Sequence, residues 1–385
     1  MRLLLLFVVI AAITGCGSSR TKNALCAYCE SDSQCGGNPC FQDVSGASVC
    51  GAPCDPCPQG FSCVVLRGTS GALAKTCYPD SESCHQTLAP DGGTSTLPPP
   101  PDGGAPGIVV GGPVGPTGGT VDRLLFGMTG DTRPTDCGSA YPTGIIDNIF
   151  TELKGQGAQF VVDQGDHLFN CSYSPAGLAS ARQQMAAYVS AAALFGQTVF
   201  MTLGNHECSG ESTTLCDAQG SYGPNPNYTA FMESLRPISA LPYYRVDVQT
   251  STGLAVFLIV ADDVWDAAEQ SWLTQQLTDA DLRAKYTFVS KHHPNRNTDH
   301  PEFQQIFDLV TAHKYTLFMT GHSHYYRHDS RDPRVLVMGV GGAPLSGGNF
   351  WGYGTVRQGP DDRIYVTIYD QATNHVEDQF DLAPQ

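Results

Sequence analysis

The chain has 385 residues and a formal net charge of −16, with 15% charged and 41% hydrophobic residues. An acidic balance of this size excludes a nucleic-acid partner, because polyanion binding needs a basic face that the sequence does not supply. The length exceeds that of one ordinary domain, and no apolar stretch reaches the roughly 18 residues that cross a bilayer.

From the N-terminus, one basic residue, Arg2, precedes an apolar stretch from Leu3 to Ile13 and then Thr14, Gly15, Cys16 and Gly17. That order reads as an export signal over residues 1 to 16, too short to be a membrane span. Ile13, Thr14, Gly15 and Cys16 resemble a bacterial lipobox, which implies cleavage before Cys16 and acylation of that cysteine. Two or three acyl chains there would anchor the protein stably to a membrane. Gly17, standing where an Asp would mark inner-membrane retention, points to an outer-membrane lipoprotein of the bacterial cell envelope. An ordinary secretory signal with cleavage nearby is the competing reading.

Residues 17 to 84 form a cysteine-rich module, with ten cysteines between Cys26 and Cys84 and few apolar runs to build a core. In an exported chain such a segment is held by disulfides, up to five here, whose pairing the sequence does not fix. The CAYC and CDPC spacings also suggest zinc, but the segment lacks histidine partners before His85. The module weakly resembles small EGF-like or Dickkopf-type units and reads as a spacer or a surface that contacts a partner. Residues 85 to 120, with PPPP, DGG, GGPVG and PTGG, read as an extended Pro/Gly-rich linker that lifts the rest from the membrane.

Residues 121 to 385 carry the chemistry. Five short apolar runs each stop at Gly, Ser or Lys and hand over to a carboxylate, an amide or an imidazole. They are LLFGMTG before Asp131, QFVVDQG before Asp166, TVFMTLG before Asn205 and His206, TFVSK before His292, and YTLFMTG before His322 and His324. Runs of this kind predict buried strands of an α/β domain, whose ligand sites lie at strand ends. Hard oxygen donors mixed with imidazoles suit Fe, Mn or Zn, and there are enough of them for two ions bridged by one carboxylate. Spacings of three and four predict helices over residues 176 to 195 and 266 to 284, with Trp272 in the core of the second. The runs LAVFLIVAD, RVLVMGVGG and RIYVTIYD supply further strands.

The ordered blocks GD, GD, GNHE, HHP and GHSH resemble the calcineurin-like metallophosphoesterase superfamily, closest to its purple acid phosphatase-like branch. The resemblance implies a four-layer αββα sandwich and a metal-dependent phosphoric ester hydrolase, acting on a small phosphorylated substrate by attack of a metal-bound hydroxide. It implies Asp166 as the bridging ligand, Asn205, His292 and His322 as the second ion's ligands, and Asp131 and His324 as the first ion's. His206 is implied to face the substrate as acid or charge stabiliser, not to bind metal. Phosphomonoesters are the leading substrates. A phosphodiesterase or nucleotidase on the same site is the first alternative, and a surface protein that has lost catalysis is the second.

Two departures concern the first ion. Many members have Asp, any residue, His at the first block, whereas this chain has Asp131, Thr132, Arg133. Purple acid phosphatases place a tyrosine three residues after the bridging Asp, and here that residue is Phe169. The first ion is therefore expected to be held more weakly than the second, without a tyrosinate colour. Arg133 has two readings, a catalytic one in which its fork binds the substrate phosphate and a surface pair with Asp136. His167 reads as a loop histidine with a solvent-facing ring, or else a substrate contact, His293 as a residue behind the ligands or in solvent, Asp163 as structural, and Glu207 as the anchor of the His206 loop. Cys208 is expected to pair locally with Cys216, and Cys137 with Cys171, tying two active-site loops together. Trp351 and Tyr353 read equally as pocket or surface aromatics.

Overall fold

A computed structural model describes residues 35, 38, 40–42, 48–53, 57, 61–67 and 73–79 of an N-terminal unit, and residues 112–172, 177–209, 225–294, 301–347 and 350–384 of the rest. The chain divides into compact units at Met1–Pro99 and Pro100–Gln385. The expected export signal, lipobox and most of the linker lie outside the described residues, as does Cys216. Among the described residues, no helix is long and apolar enough to cross a membrane.

The N-terminal unit contains two antiparallel hairpins, β1 (Cys40–Gln42) with β2 (Ser48–Cys50) and β3 (Phe61–Arg67) with β4 (Leu73–Pro79). Disulfides Cys35–Cys50 and Cys57–Cys77 staple it, with Cα separations of 5.3 and 5.5 Å. Cys35, Cys40 and Cys50 are themselves its buried cluster, as expected of a segment with too little apolar surface to close a core.

In the larger unit, β5 (Val114–Gly115), β6 (Gly118–Thr120), β7 (Leu125–Thr129), β8 (Val161–Asp163) and β9 (Val199–Met201) precede β10 (Tyr244–Thr250) and β11 (Gly253–Ile259). They are followed by β12 (Ala284–Ser290), β13 (Leu317–Thr320), β14 (Tyr326–His328), β15 (Val335–Met338), β16 (Gly352–Gln358), β17 (Ile364–Asp370) and β18 (Val376–Leu382). One mixed sheet has the order β14-β15-β13-β12-β11-β10-β6-β5, the other β18-β17-β16-β7-β8-β9.

The two sheets face each other through aromatic rings. Phe126 of β7 meets Phe257 of β11 and Phe288 of β12 edge-on, each at 5.1 Å between centroids. Strand alternation divides β11, so that Ala255, Phe257 and Ile259 join the core between the sheets. Val256 and Leu258 join a second core with Leu273, Leu277 and Ile306. Helices α1 (Thr143–Gly155), α2 (Gly177–Phe195) and α4 (Pro226–Leu235) cover the six-stranded sheet, and α5 (Ala267–Arg283) and α6 (Pro301–Thr311) cover the other. α3 (His206–Ser209) is one short turn. The layers are thus those of the expected αββα sandwich. The predicted helices over 176 to 195 and 266 to 284 appear as α2 and α5, the latter capped by Asp266, which accepts from Ala268 N and Glu269 N at 2.9 Å. Trp272 is half-buried beside Tyr243.

The linker boundary at residue 120 needs correction. Residues 112 to 120 belong to the domain: β6 pairs with β10 at Gly118–Asp247 and β5 pairs with β6. These strands carry few side chains to bury, so hydrophobic patterning is blind to them; backbone bonding holds them. Gly118 has φ +102° and its α-carbon lies so close to Asp247 that a Cβ would collide with that residue's carbonyl oxygen.

Candidate metal centre

All five blocks end at one edge of the facing sheets. Asp131 follows β7, Asp166 follows β8, Asn205 and His206 follow β9, His292 follows β12, and His322 and His324 follow β13. Asp131, Asp166, His322 and His324 have φ of 59°, 60°, 68° and 47°, a left-handed conformation that costs a non-glycine residue of order 1–3 kcal/mol. Strain of this kind is retained when surrounding contacts fix it, and here each strand turns sharply so that its side chain points back over the sheet edge.

The preceding glycines make the approach possible. A Cβ at Gly204 would strike Asp166 Oδ1, and one at Gly321 would strike Asp131 Oδ2. Glu207 then locks the loops together. Its buried carboxylate accepts from the backbone N–H groups of Asp166 at 3.0 Å, His167 at 2.6 Å, Leu168 at 3.3 Å and Gly204 at 2.7 Å. The expected anchoring role of Glu207 is therefore wider than the His206 loop.

Two donor groups result. In one, His292 Nε2 lies 3.3 Å from Asp166 Oδ1 and 3.1 Å from Asn205 Oδ1, and His322 Nδ1 lies 3.0 Å from the same Asn205 oxygen. Donors about 2.1 Å from a shared ion sit about 3 Å from one another, and each of these three neighbouring pairs has that spacing. His292 Nδ1 donates to the Gln164 carbonyl at 2.8 Å, which turns Nε2 toward Asp166 and Asn205; burial disfavours charge on His292, but Asp166 raises it well above the ordinary histidine range, so a cation bound there would displace a proton from Nε2. Burial, with His293 and His292 nearby, pushes His322 down to about 2, so its imidazole is neutral and ready to ligate. Asp166 is held well below the usual carboxylate range: burial opposes its charge, but the facing His292 imidazole and the Arg133 guanidinium outweigh it.

The other group is Asp131, Asp166 and His324, whose donor atoms lie within 4.8 Å of one another. His324 Nδ1 donates to the Pro344 carbonyl at 2.9 Å, and Nε2 faces Asp131 Oδ1 at 3.4 Å. This group differs from the first in what crowns it. Arg133 is buried here, with Nε 3.4 Å from Asp166 Oδ2 and Nη2 3.3 Å from His324 Nε2. The surface pairing with Asp136 is not formed; Asp136 instead accepts from Gly138 N.

His206 sits beside both groups, its Nε2 3.8 Å from Asp166 Oδ2 and its ring edge-on to Phe169 at 4.4 Å. Burial lowers its pKa, Asp166 opposes that, and Arg133 adds to it, leaving His206 at about 4 and neutral at neutral pH.

Several peripheral expectations change. His167 is fully buried and not solvent-facing: Nε2 lies 3.1 Å from Asp163 and Nδ1 3.3 Å from Glu207. His293 is also buried, stacked on Phe303 and facing Asp262 and Asp263 at 3.4 and 3.6 Å. Those two aspartates, with Lys291 Nζ 3.0 Å from Asp262 Oδ2, form a buried charged cluster that the motif reading missed. The signal was present, since LAVFLIVAD also ends on an acid at a strand terminus. Tyr353 is fully buried, and Trp351 donates to the Ala343 carbonyl at 2.8 Å, so both serve as packing. Cys137 and Cys171 are bonded, joining the Asp131 and Asp166 loops as expected. Cys208 is disulfide-bonded.

Residues 135–326 match the sequence signature of the family described as calcineurin-like phosphoesterase. The chain belongs to that family. This phosphoesterase is similar in structure to GAP50, the anchor in the inner membrane complex of Plasmodium, at 14% identity and a TM-score of 0.48, covering 69% of this chain and 90% of that one. It is similar to purple acid phosphatase PPD1 from yellow lupin at 15% identity and a TM-score of 0.46, covering 67% and 53%. It is also similar to a dimetal phosphatase from Danio rerio at 13% identity and a TM-score of 0.46, covering 68% and 99%. No curated protein matches the chain in sequence. The chain is a metal-dependent phosphoester hydrolase of a family that uses a dinuclear centre, and candidate metal-holding groups cluster at this sheet edge.

Proposed function

We propose that this phosphoesterase hydrolyses small phosphate monoesters outside the cytoplasm, tethered to the bacterial outer membrane by lipid on Cys16. The observation that carries the catalytic part is the run of donor contacts Asp166–His292, His292–Asn205 and Asn205–His322, at 3.3, 3.1 and 3.0 Å. Asp166, Asn205, His292 and His322 would hold an ion, with Fe, Mn or Zn matching the oxygen and imidazole donors, whereas Asp131, Asp166 and His324 offer a weaker position that Arg133 crowds. When bound, such ions neutralise phosphoryl oxygens and acidify water.

The chain's own residues supply the remainder. Arg133, fixed beside Asp166, presents a permanent positive charge to the phosphoryl group. His206, neutral in the resting site, gains affinity for a proton when an anionic substrate arrives and is placed to pass it to the leaving oxygen. Phe169 and the disulfide-linked loops keep these two groups from swinging away. The bonds Cys35–Cys50, Cys57–Cys77 and Cys137–Cys171 support an oxidising compartment, and the lipobox-like start supports anchoring there. The cysteine-rich module would then serve as spacer or partner surface.

Assays of purified protein on aryl phosphate monoesters and diesters, with and without added Mn, Fe or Zn, test this. Metal-dependent turnover favouring the monoester is expected. A preference for the diester would replace the substrate class, and no metal-dependent turnover of either would defeat the catalytic reading. Labelling with a palmitate analogue in a bacterial host, lost in Cys16→Ser, tests the anchor; equal label in the variant would contradict it.

A further inference from the structure

Three ligand atoms converge at the first position, and the fourth group delivered to the same point is a guanidinium. Arg133 is 9% exposed and touches four groups of the site. Nη1 donates to the Pro134 carbonyl at 3.0 Å, the guanidinium carbon lies 4.7 Å over the Phe169 ring, Nε faces Asp166 Oδ2 at 3.4 Å and Nη2 faces His324 Nε2 at 3.3 Å. A guanidinium has no lone pair to offer a metal and stays charged at any working pH. It therefore adds positive charge, and no ligand, where Asp131, Asp166 and His324 meet.

Asp166 shows the division of labour. Its Oδ1 faces His292 and the Asn205 set, while its Oδ2 faces Arg133. The carboxylate thus already spans two positive positions, one of them built from protein. Arg133 is backed by a phenyl face, which attracts a cation and cannot compete for an ion.

We infer that the Arg133 guanidinium replaces the first ion, so that this phosphoesterase keeps one tightly held metal per chain, at Asp166, Asn205, His292 and His322. The inference rests on the proposed reading that this four-residue set holds an ion. The protein would then stabilise the developing charge with one metal and one arginine instead of two metals, and its activity would need only one equivalent of metal.

The test is metal content per chain after loading the full-length protein with excess Mn and dialysing, together with the electron paramagnetic resonance spectrum of the loaded protein. The wild type is expected to retain one Mn with an uncoupled signal. Arg133→His, which exchanges the cation for a ligand, is expected to retain a second Mn whose signal is coupled to the first, with a Kd tightened by roughly 10- to 100-fold. If Arg133→His does not fold, calorimetric titration of the wild type decides alone: one tight binding event supports the inference. Two retained, coupled ions in the wild type would overturn it while leaving the phosphoesterase reading intact. No retained ion in either protein would instead defeat the metal reading on which it rests.

Discussion

Replacing Glu207 by Gln should destabilise the protein far more than its single change of atom suggests. The carboxylate Oε1 accepts from His167 N and Leu168 N, and Oε2 from Asp166 N and Gly204 N. A glutamine keeps one acceptor oxygen and turns an NH₂ toward the other two donors. Two fully buried N–H groups then lose their partner, at about 1–3 kcal/mol each. His167 also loses one of its two carboxylates. The expected cost is about 3–6 kcal/mol, a large part of the roughly 5–15 kcal/mol that holds a typical protein folded. Urea denaturation of metal-free wild type and Glu207→Gln, followed by tryptophan fluorescence with disulfides intact, measures it. The metal-free form matters, because bound ions would add linkage stabilisation unequally. A loss under about 1 kcal/mol would show that the loops are held without this carboxylate, and the account of how the site is assembled would be wrong.

Other predictions follow from the same geometry. His206→Ala should retain metal while turnover falls by about 10²- to 10⁴-fold; an unchanged rate would remove it from the chemistry. Replacing Cys137 and Cys171 together by Ser opens a bridge of sequence separation 34 and should cost about 2–4 kcal/mol in thermal or denaturant unfolding. A variant as stable as wild type would mean that the bridge adds nothing to packing already present. Burial disfavours charge on His167, but Asp163 and Glu207 overcome this and raise it to about 10. Because that lies above the unfolded value of about 6.5, its contribution is complete below pH ~6.5 and is lost as pH climbs through about 10. The stability gap between wild type and His167→Gln should therefore shrink between pH 6 and pH 10. A gap that is constant, or widens, would contradict the ion-paired assignment.

Much of the site was readable because each ligand ends an apolar run, and a run cut by glycine says both where a strand stops and that backbone comes close there. Gly204 and Gly321 make that literal, since either Cβ would hit a site carboxylate. The pairing of Cys137 with Cys171 was readable from their places after two ligand loops. Burial of His167 and His293 was not, because their partners Glu207, Asp262 and Asp263 come from segments tens of residues away. The choice between pocket and surface for Arg133 depended on a ring, Phe169, that the sequence displayed only as a missing tyrosine. β5 and β6 escaped because glycine strands contribute backbone bonds and almost no side-chain pattern.

Anomalous diffraction from crystals soaked in Mn or Zn tests the central claim most directly. The account predicts a peak within bonding distance of Asp166 Oδ1, Asn205 Oδ1, His292 Nε2 and His322 Nδ1. A soaked crystal whose ion lies elsewhere, for instance among Asp262, Asp263 and His293, with those four atoms bound to none, would contradict it.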